Sequence, residues 1–420
     1  MIVVSHPTGN EFVRYTLSGL NEMDLLHTYY TSIACFEGDM MHKLGAKAPF
    51  TEFRKRAYQV AIKKQTQTNP FFEMMRQLAL KANIKSLLKH EFGMFSVDKV
   101  YQNHDHYVAS QLYKRNKSNI TGVYAYEDAA IETFTAAKEL GINSFYDLSI
   151  GYWKAAKDIL EKEKERRPEY ANTLTGLMNS AAKLERKDRE IELANEILVA
   201  SKFTAETLKM YQGNPTPIHI IPYGFPTINK VEKKIVRKTR EPLKILFVGG
   251  LTQRKGIAEV LDSANIIGKE ISLTVIGRET SATNLLLREG LKSHRYFPSL
   301  PHDQILAEMY NHDVLLFPSF FEGFGMVISE AMSQGIPVIT TMRTGAADFI
   351  EHGINGWMVE PGNINGIIEI LESLIKYPEL HHEAGKAAKV TANKRPWAIY
   401  AKEISELIAA KSMNQNIHKI

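Results

Sequence analysis

Two glutamates in one short stretch, Glu322 and Glu330, are the residues of this sequence best placed to do chemistry. They lie in Phe317-Pro-Ser-Phe-Phe-Glu322-Gly-Phe-Gly325-Met-Val-Ile-Ser-Glu330-Ala-Met-Ser-Gln-Gly335-Ile-Pro337. A strand-like run ends at Pro318, a glycine-bearing loop follows, and a helix begins near Gly325. Gly335 is placed as the helix's C-terminal stop, and Pro337 opens the next strand. In open parallel sheets, loops at the carboxyl ends of the strands form the ligand crevice. Unpaired N–H groups at the helix start, from Phe324 to Met326, can receive phosphate oxygens, and the helix dipole adds to the attraction. Gly323 and Gly325 allow a ligand close to the backbone. Glu330, inside the helix, is within reach of a ribose, and Glu322 in the loop is free to take sugar hydroxyls. Carboxylates accept hydrogen bonds from vicinal diols, which ribose and hexoses share.

Those loops need a sheet beneath them. From Lys244 onward, short apolar runs alternate with helical stretches, the signature of a parallel sheet wrapped by helices. The strands read 244–249, 272–277, 313–318, 336–340 and 356–360, most of them continuously apolar, as expected when both faces are covered. The first half shows the same habit more loosely, with candidate strands at 2–5, 99–102, 122–126, 144–147 and 196–200. Between the halves, Asn229 to Arg240 is short, charged and weakly apolar, and reads as a linker. Two doubly wound α/β domains follow.

Length and composition agree. A chain of 420 residues, 44% hydrophobic and 24% charged, fits two or three folded domains. One cysteine, Cys35, excludes an intramolecular disulfide framework and suits a reducing compartment. No apolar run approaches the ~20 residues needed to span a bilayer, and the opening ten residues lack the pattern of a signal peptide. The expectation is a cytoplasmic protein, with room for a peripheral place at the inner membrane face. The net charge of +5 is unevenly spread: Arg54 to Lys89 holds nine basic residues against one acidic residue, Glu73. Apolar residues interleave with them at helical spacings, which allows contact with anionic lipid, an anionic acceptor, or merely a solvated surface. No nucleic-acid motif accompanies the charge.

With its Glu-Gly-Phe-Gly and second glutamate eight positions on, the stretch resembles the E-x7-E motif of retaining glycosyltransferases of family 4, which have the GT-B fold. The resemblance runs from Lys244 to about Trp397. It includes Val248-Gly-Gly-Leu-Thr-Gln-Arg-Lys-Gly256, Val275-Ile-Gly277, Pro337-Val-Ile-Thr340, Gly345-Ala-Ala-Asp348 and Asn355-Gly-Trp-Met-Val359. Earlier it is weaker: Ala200-Ser-Lys-Phe203, Ile221-Pro-Tyr-Gly-Phe225 and the Pro7-Thr-Gly9 loop.

The resemblance implies a GT-B fold, two doubly wound Rossmann-like domains facing each other across a cleft. Residues 1–228 would form the acceptor side and 241–395 the donor side, with a helix from 397–420 crossing back. It implies that Glu330 binds the donor ribose and Glu322 the transferred sugar, while Phe324, Gly325 and Met326 offer backbone contacts. Arg254 and Lys255 would hold the diphosphate, consistent with fixed cations stabilising charge as the sugar–phosphate bond breaks. Gly249 and Gly250 would be close-approach glycines, and Arg295 to Leu300 would pass the base. The partners implied are a nucleotide sugar (UDP-glucose first, then UDP-N-acetylglucosamine or GDP-mannose) and a glycan or lipid-linked acceptor. The reaction implied is hexose transfer with retention. A GT-B epimerase or phosphorylase, or a non-catalytic nucleotide-sugar-binding subunit, are the competing readings.

The acceptor side is less defined. Gly9 and Asn10 form either a loop facing the donor or a simple turn. Glu127 and Asp128, after the strand ending at Tyr126, either orient and deprotonate an acceptor hydroxyl or cap the following helix. The family's histidine near Tyr146-Asp147-Leu148 is missing; His104 and His106 are substitutes or an ordinary surface pair. The chain has no Asp-x-Asp, and His104-Asp-His106 lacks companion ligands. Neither a metal nor a cofactor is expected.

Overall fold

The apolar runs fold into two separate parallel sheets of the same winding. The computed structural model describes residues 1–39, 42–43, 56–115, 119–213, 216–230, 241–280 and 284–417. Arg54, Lys55 and most of the expected linker, 231–240, lie outside these. The first sheet comprises β1 (Ile2–Ser5), β2 (Leu26–Thr31), β3 (Thr66–Thr68), β4 (Gly122–Tyr126), β5 (Asn143–Leu148), β6 (Glu196–Val199) and β7 (Ile218–Ile220). Their spatial order is 3-2-1-4-5-6-7, every neighbour parallel. The second sheet comprises β8 (Leu243–Val248), β9 (Ile271–Ile276), β10 (Arg295–Phe297), β11 (Val314–Phe317), β12 (Val338–Thr341) and β13 (Gly356–Val359). It runs 10-9-8-11-12-13, again all parallel, which repeats the winding of the first.

Each sheet therefore reverses direction once, between β1 and β4 in the first and between β8 and β11 in the second. At such switch points the loops leave in opposite directions and open a crevice. The loops that follow these four strands hold residues 6–10, 127–130, 249–256 and 318–325, and these carry most of the expected site.

Helices cover the sheets: α1 (Glu11–Glu22), α2 (Phe71–Lys81), α3 (Val97–Lys114), α4 (Ile131–Leu140), α5 (Trp153–Arg166), α6 (Ala181–Leu193) and α7 (Lys202–Thr207) on the first, then α8 (Ile257–Ile267), α9 (Leu285–Lys292), α10 (His302–Asn311), α11 (Met326–Gln334), α12 (Ile364–Lys376), α13 (Pro378–Asn393) and α14 (Trp397–Ile417). The final helix returns to the first sheet. A Cβ on Gly19 of α1 would lie 2.3 Å from the Ala401 carbonyl oxygen, so α1 and α14 touch backbone to backbone. Trp397 stacks on Tyr15 at 4.9 Å, and Thr16 Oγ1 lies 3.1 Å from Tyr400 Oη. The chain's two passages between the sheets run side by side, with Phe225 N donating to the Arg395 carbonyl at 2.8 Å.

One expected strand is wrong. Residues 99–102 lie inside α3, not in a strand. Ser96 caps that helix by accepting from Lys99 N at 3.2 Å, and Val100, His104 and Val108 form its buried stripe. Spacing of four decided the structure against the local β propensity of Val-Tyr. Strands β2, β3, β7 and β10 are absent from the sequence reading. In β2, Leu-His-Thr-Tyr-Tyr-Thr looks polar, yet Tyr29 and Tyr30 are almost fully buried.

The two cores interpenetrate. Tyr170, in a short 3-10 turn after α5, packs with the core of the second sheet. Phe324, from the loop before α11, packs with the core of the first.

Candidate active site

Helix α11 starts and stops as its glycines require. Gly325 (φ +80) and Gly335 (φ +78) both adopt the left-handed conformation that side chains disfavour. The loop before it is clamped by the first domain. A Cβ on Gly323 would lie 1.9 Å from the Ser149 carbonyl oxygen, so only glycine fits. Its own carbonyl accepts from Ser201 Oγ at 2.7 Å and Thr204 Oγ1 at 3.3 Å. The Ala200–Phe203 segment thus positions the loop from across the domain boundary.

Three expected residues meet at the β8–β11 switch point. Arg254 and Lys255 lie in a 3-10 turn at 253–255, directly after the Gly249-Gly250 loop. Lys255 Nζ contacts the Glu322 carboxylate, and Arg254 Nη1 lies 3.4 Å from the same oxygen. Arg254 also donates to the Phe321 carbonyl at 2.8 Å. Burial lowers the Arg254 guanidinium to about 10, and burial followed by the neighbouring Arg254 charge depresses the Lys255 ammonium well below its ordinary range. Two desolvated cations beside one carboxylate attract a further anion, and a diphosphate carries the charge they lack.

Glu330 lies on the inner part of α11 and is bound by a residue that sequence reading missed. His302, the first residue of α10, approaches its Oε1 at 3.0 Å through Nε2. The hydrogen bond to Glu330 raises the His302 imidazole above its ordinary range. Glu11, at the start of α1, faces His302 electrostatically, so the residues after Gly9-Asn10 and the Glu330 end of the site lie opposite each other. No sequence signal joined His302 to Glu330, because they belong to different helices.

A second missed residue is Gln253. Fully buried, it donates at 2.7 Å to Glu163 of α5 and at 2.7 Å to Glu259 of α8, and accepts from Ala258 N at 3.1 Å. Its backbone N donates to Thr173 Oγ1 at 2.9 Å. Arg166 grips Glu163 in bidentate fashion at 2.7 and 2.8 Å and also pairs with Glu259. The turn that presents Arg254 and Lys255 is thereby fixed by both domains.

On the facing side, Gly9 (φ +62) has no room for a side chain, since a Cβ would strike Tyr58 Oη at 1.8 Å. The amides of Thr8 and Gly9 donate to His6 Nδ1 at 3.1 and 2.7 Å. Burial, with His104 and Arg56 nearby, lowers His6 to about 3, so the ring is neutral. Asn10 caps α1 by accepting from Val13 N.

Glu127 and Arg254 line one cavity of about 350 Å³ between the domains, with Gly151, Trp153, Leu160, Lys187 and Phe321. Glu127 pairs with Lys187 at 2.7 Å; Asp128 lies 3.4 Å from Lys187 and 3.5 Å from Lys183. Asp128 faces a neighbouring cavity of about 340 Å³. Burial raises the Glu127 carboxyl. The capping alternative for these two carboxylates fails. The amides at the start of α4 are taken by Asp105 and Glu190, which reach in from α3 and α6. The histidines also separate: His104 is buried, 3.2 Å from Ser5 Oγ, whereas His106 is exposed beside Glu132. They are not a surface pair. Among the described residues no group of three or more His, Cys, Asp or Glu side chains is arranged to hold a metal.

Residues 229–391 match the family model described as Glycosyl transferases group 1. The capsular polysaccharide biosynthesis glycosyltransferase CapM of Staphylococcus aureus is 33% identical over 163 residues, 37% of this chain and 43% of CapM. A glycogen synthase of Mycobacterium tuberculosis is 25% identical over 155 residues, 35% of this chain and 37% of that protein. The chain thus spans less than half the length of these curated relatives. Among solved structures, the sucrose-phosphate synthase of Thermosynechococcus elongatus superposes with a TM-score of 0.66 at 14% identity, covering 97% of this chain and 98% of that one. Anabaena HepE in complex with UDP and glucose gives 0.63 at 16% identity, covering 97% and 99%. The chain has the GT-B fold.

Proposed function

We propose that the protein is a retaining glycosyltransferase of the family 4 kind, moving a hexose from a nucleoside diphosphate sugar to a hydroxyl. The observation that carries this reading is the meeting of Arg254, Lys255 and Glu322 at a sheet switch point, with Glu330 about one turn along the helix that begins there. Glu330 takes the ribose hydroxyls, displacing or sharing them with His302. Arg254, Lys255 and the amides from Phe324 to Met326 take the diphosphate, with Gly249, Gly250 and Gly323 leaving it room. Glu322 takes hydroxyls of the sugar. Its pairing with two cations suits a hydroxyl acceptor better than a nucleophile, in keeping with departure and attack on the same face of the sugar. Gly9 and Asn10 face the donor from the first domain. Glu127, with its carboxyl raised by burial, is the group to orient or deprotonate the incoming hydroxyl, with Asp128 supporting it through the shared lysines.

UDP-glucose is the leading donor. It is supported by HepE, solved with UDP-glucose, and by a trehalose-6-phosphate protein of E. coli solved with UDP-2-fluoro glucose. Polysaccharide or glycoconjugate synthesis is supported by the capsular and amylovoran relatives. The two cations take the place of a metal. Among the described residues no helix is long and apolar enough to cross a membrane.

Calorimetry with UDP and UDP-glucose tests the assignment. Glu330→Ala should weaken both ligands by about tenfold or more, the worth of a charge-assisted hydrogen bond. Glu322→Ala should leave UDP binding and lower transfer. Equal UDP affinity in wild type and Glu330→Ala refutes the ribose role; no UDP binding by wild type refutes the donor site.

A further inference from the structure

Helix α2 is built inside out. Its one acidic residue, Glu73, is 1% exposed, held by Arg56 at 2.9 Å, Arg76 at 2.7 Å and Gln77 at 2.8 Å. Its apolar stripe, Phe71, Met74 and Leu78, faces outward at 60%, 42% and 55% exposure. The spacing of three and four places these side chains on one face. The segment after it continues the pattern with exposed Ile84, Phe92 and Met94.

This is not the ordinary scatter of surface apolar residues. Nine of the 23 exposed large apolar side chains among the described residues lie between Val60 and Val97, under a tenth of the chain. The α2 stripe and the later segment meet in space, the Phe71 ring lying 6.5 Å from that of Phe95, next to Met94, and contiguous apolar surface marks an interaction site. Lys64, Lys81, Lys85 and Lys89 are exposed along the same segment, as is Lys63, which pairs with Asp39, and no exposed carboxylate lies between Val60 and His90. Lysine and aromatic surface interleave: the Lys89 ammonium lies 5.8 Å from the Phe92 ring centre.

We propose that this face, residues 60–97, seats on an anionic lipid bilayer. Apolar side chains enter the boundary between headgroups and acyl chains while the lysines meet anionic headgroups. A second copy of the chain would bring five more lysines onto the same patch, so pairing of like faces is opposed by charge. The orientation has a consequence that rests on the glycosyltransferase reading. The 340 Å³ cavity that begins at Phe92 and Lys99 ends on Asp128 and Lys183. Across the ion pairs of Lys183 and Lys187 lies the cavity of Glu127 and Arg254. A seated protein therefore opens its acceptor side at lipid level, and the acceptor is carried on a lipid.

Co-sedimentation of the full chain with phosphatidylcholine vesicles, with and without phosphatidylglycerol, tests the docking. Binding should require phosphatidylglycerol and weaken in high salt. Lys64→Gln with Lys85→Gln should lower partitioning about 25-fold, about fivefold per lysine, and Phe92→Ser with Met94→Ser should lower it as well. All four positions are exposed, so melting temperature and UDP affinity should hold in the variants. Failure of wild type to sediment with anionic vesicles, or undiminished binding by both variants, overturns the proposal. So does a wild-type dimer that the variants convert to monomer, which would make the occupant a second copy. Loss of UDP binding alone would strike the enzyme reading and leave the docking face standing.

Discussion

Replacing Arg166 with methionine should loosen the turn that carries Arg254 and Lys255 from across the domain boundary. The side chain neutralises Glu163 and Glu259, which are 3% and 0% exposed, and holds α5 of one domain to α8 of the other. Burial by itself would lower the guanidinium, but hydrogen bonds to the two carboxylates outweigh it and raise it. Removing one partner of a buried pair costs about 3–5 kcal/mol, because the remaining charge is stranded. Arg166 is 36% exposed, so water can reach the vacated place and the lower figure, about 3 kcal/mol, applies. At about 2 °C per kcal/mol, the melting temperature should fall about 6 °C near pH 8. The sign of the pH dependence follows from Glu163. Burial raises its carboxyl even with Arg166 present, and without the cation it rises further. A carboxyl whose folded pKa exceeds its unfolded value gives stability at low pH that is lost as pH rises through the folded value. The deficit should therefore shrink toward pH 5. The Gln253 amide would then donate to carboxylates that have lost their bidentate cation, so UDP should bind more weakly by calorimetry. An unchanged melting temperature near pH 8, or an equal deficit at both pH values, refutes the claim that this cluster holds the turn.

If Arg254 and Lys255 take the place of a divalent ion, excess EDTA should leave donor hydrolysis and transfer nearly unchanged. A large loss restored by magnesium or manganese would refute the substitution. Asp147 is buried at the end of β5 and accepts from Tyr124 Oη at 2.6 Å; burial raises it to about 7. Its folded value lies above its unfolded one, so stability should fall as pH rises from about 4 to 7 and then level off. Asp147→Asn should flatten that slope in denaturant titrations; an identical slope would show that Asp147 is ionised throughout.

Five of the six strands of the second sheet were legible because they are largely buried and read as apolar runs; β10, an exposed edge strand, was not. Helix α11 was legible because Gly325 and Gly335 mark both of its ends. Polar strands such as β2 were not, since Tyr29 and Thr31 are buried through packing that no alternation announces. The chemistry divided in the same way. Glu322, Arg254 and Lys255 meet because two glycine-bearing loops leave adjacent strands, which strand order implies. His302 and Gln253 were invisible, because each is defined by a partner on another element. The helix-capping alternative at Glu127 and Asp128 was plausible locally. It failed because Asp105 and Glu190, distant in sequence, already occupy the amides of α4.

Tyr170 has a meaning for how this chain can be divided. The stretch resembling a family of transferases, 229–391, does not contain it, yet the core beneath that stretch is closed by it. Phe324 makes the reciprocal loan to the first core. A cut at the apparent boundary would leave each half with a vacancy in its core and an unhoused aromatic ring. The part that matches the family model is therefore not a module that stands by itself: its core is completed from the other half of the chain.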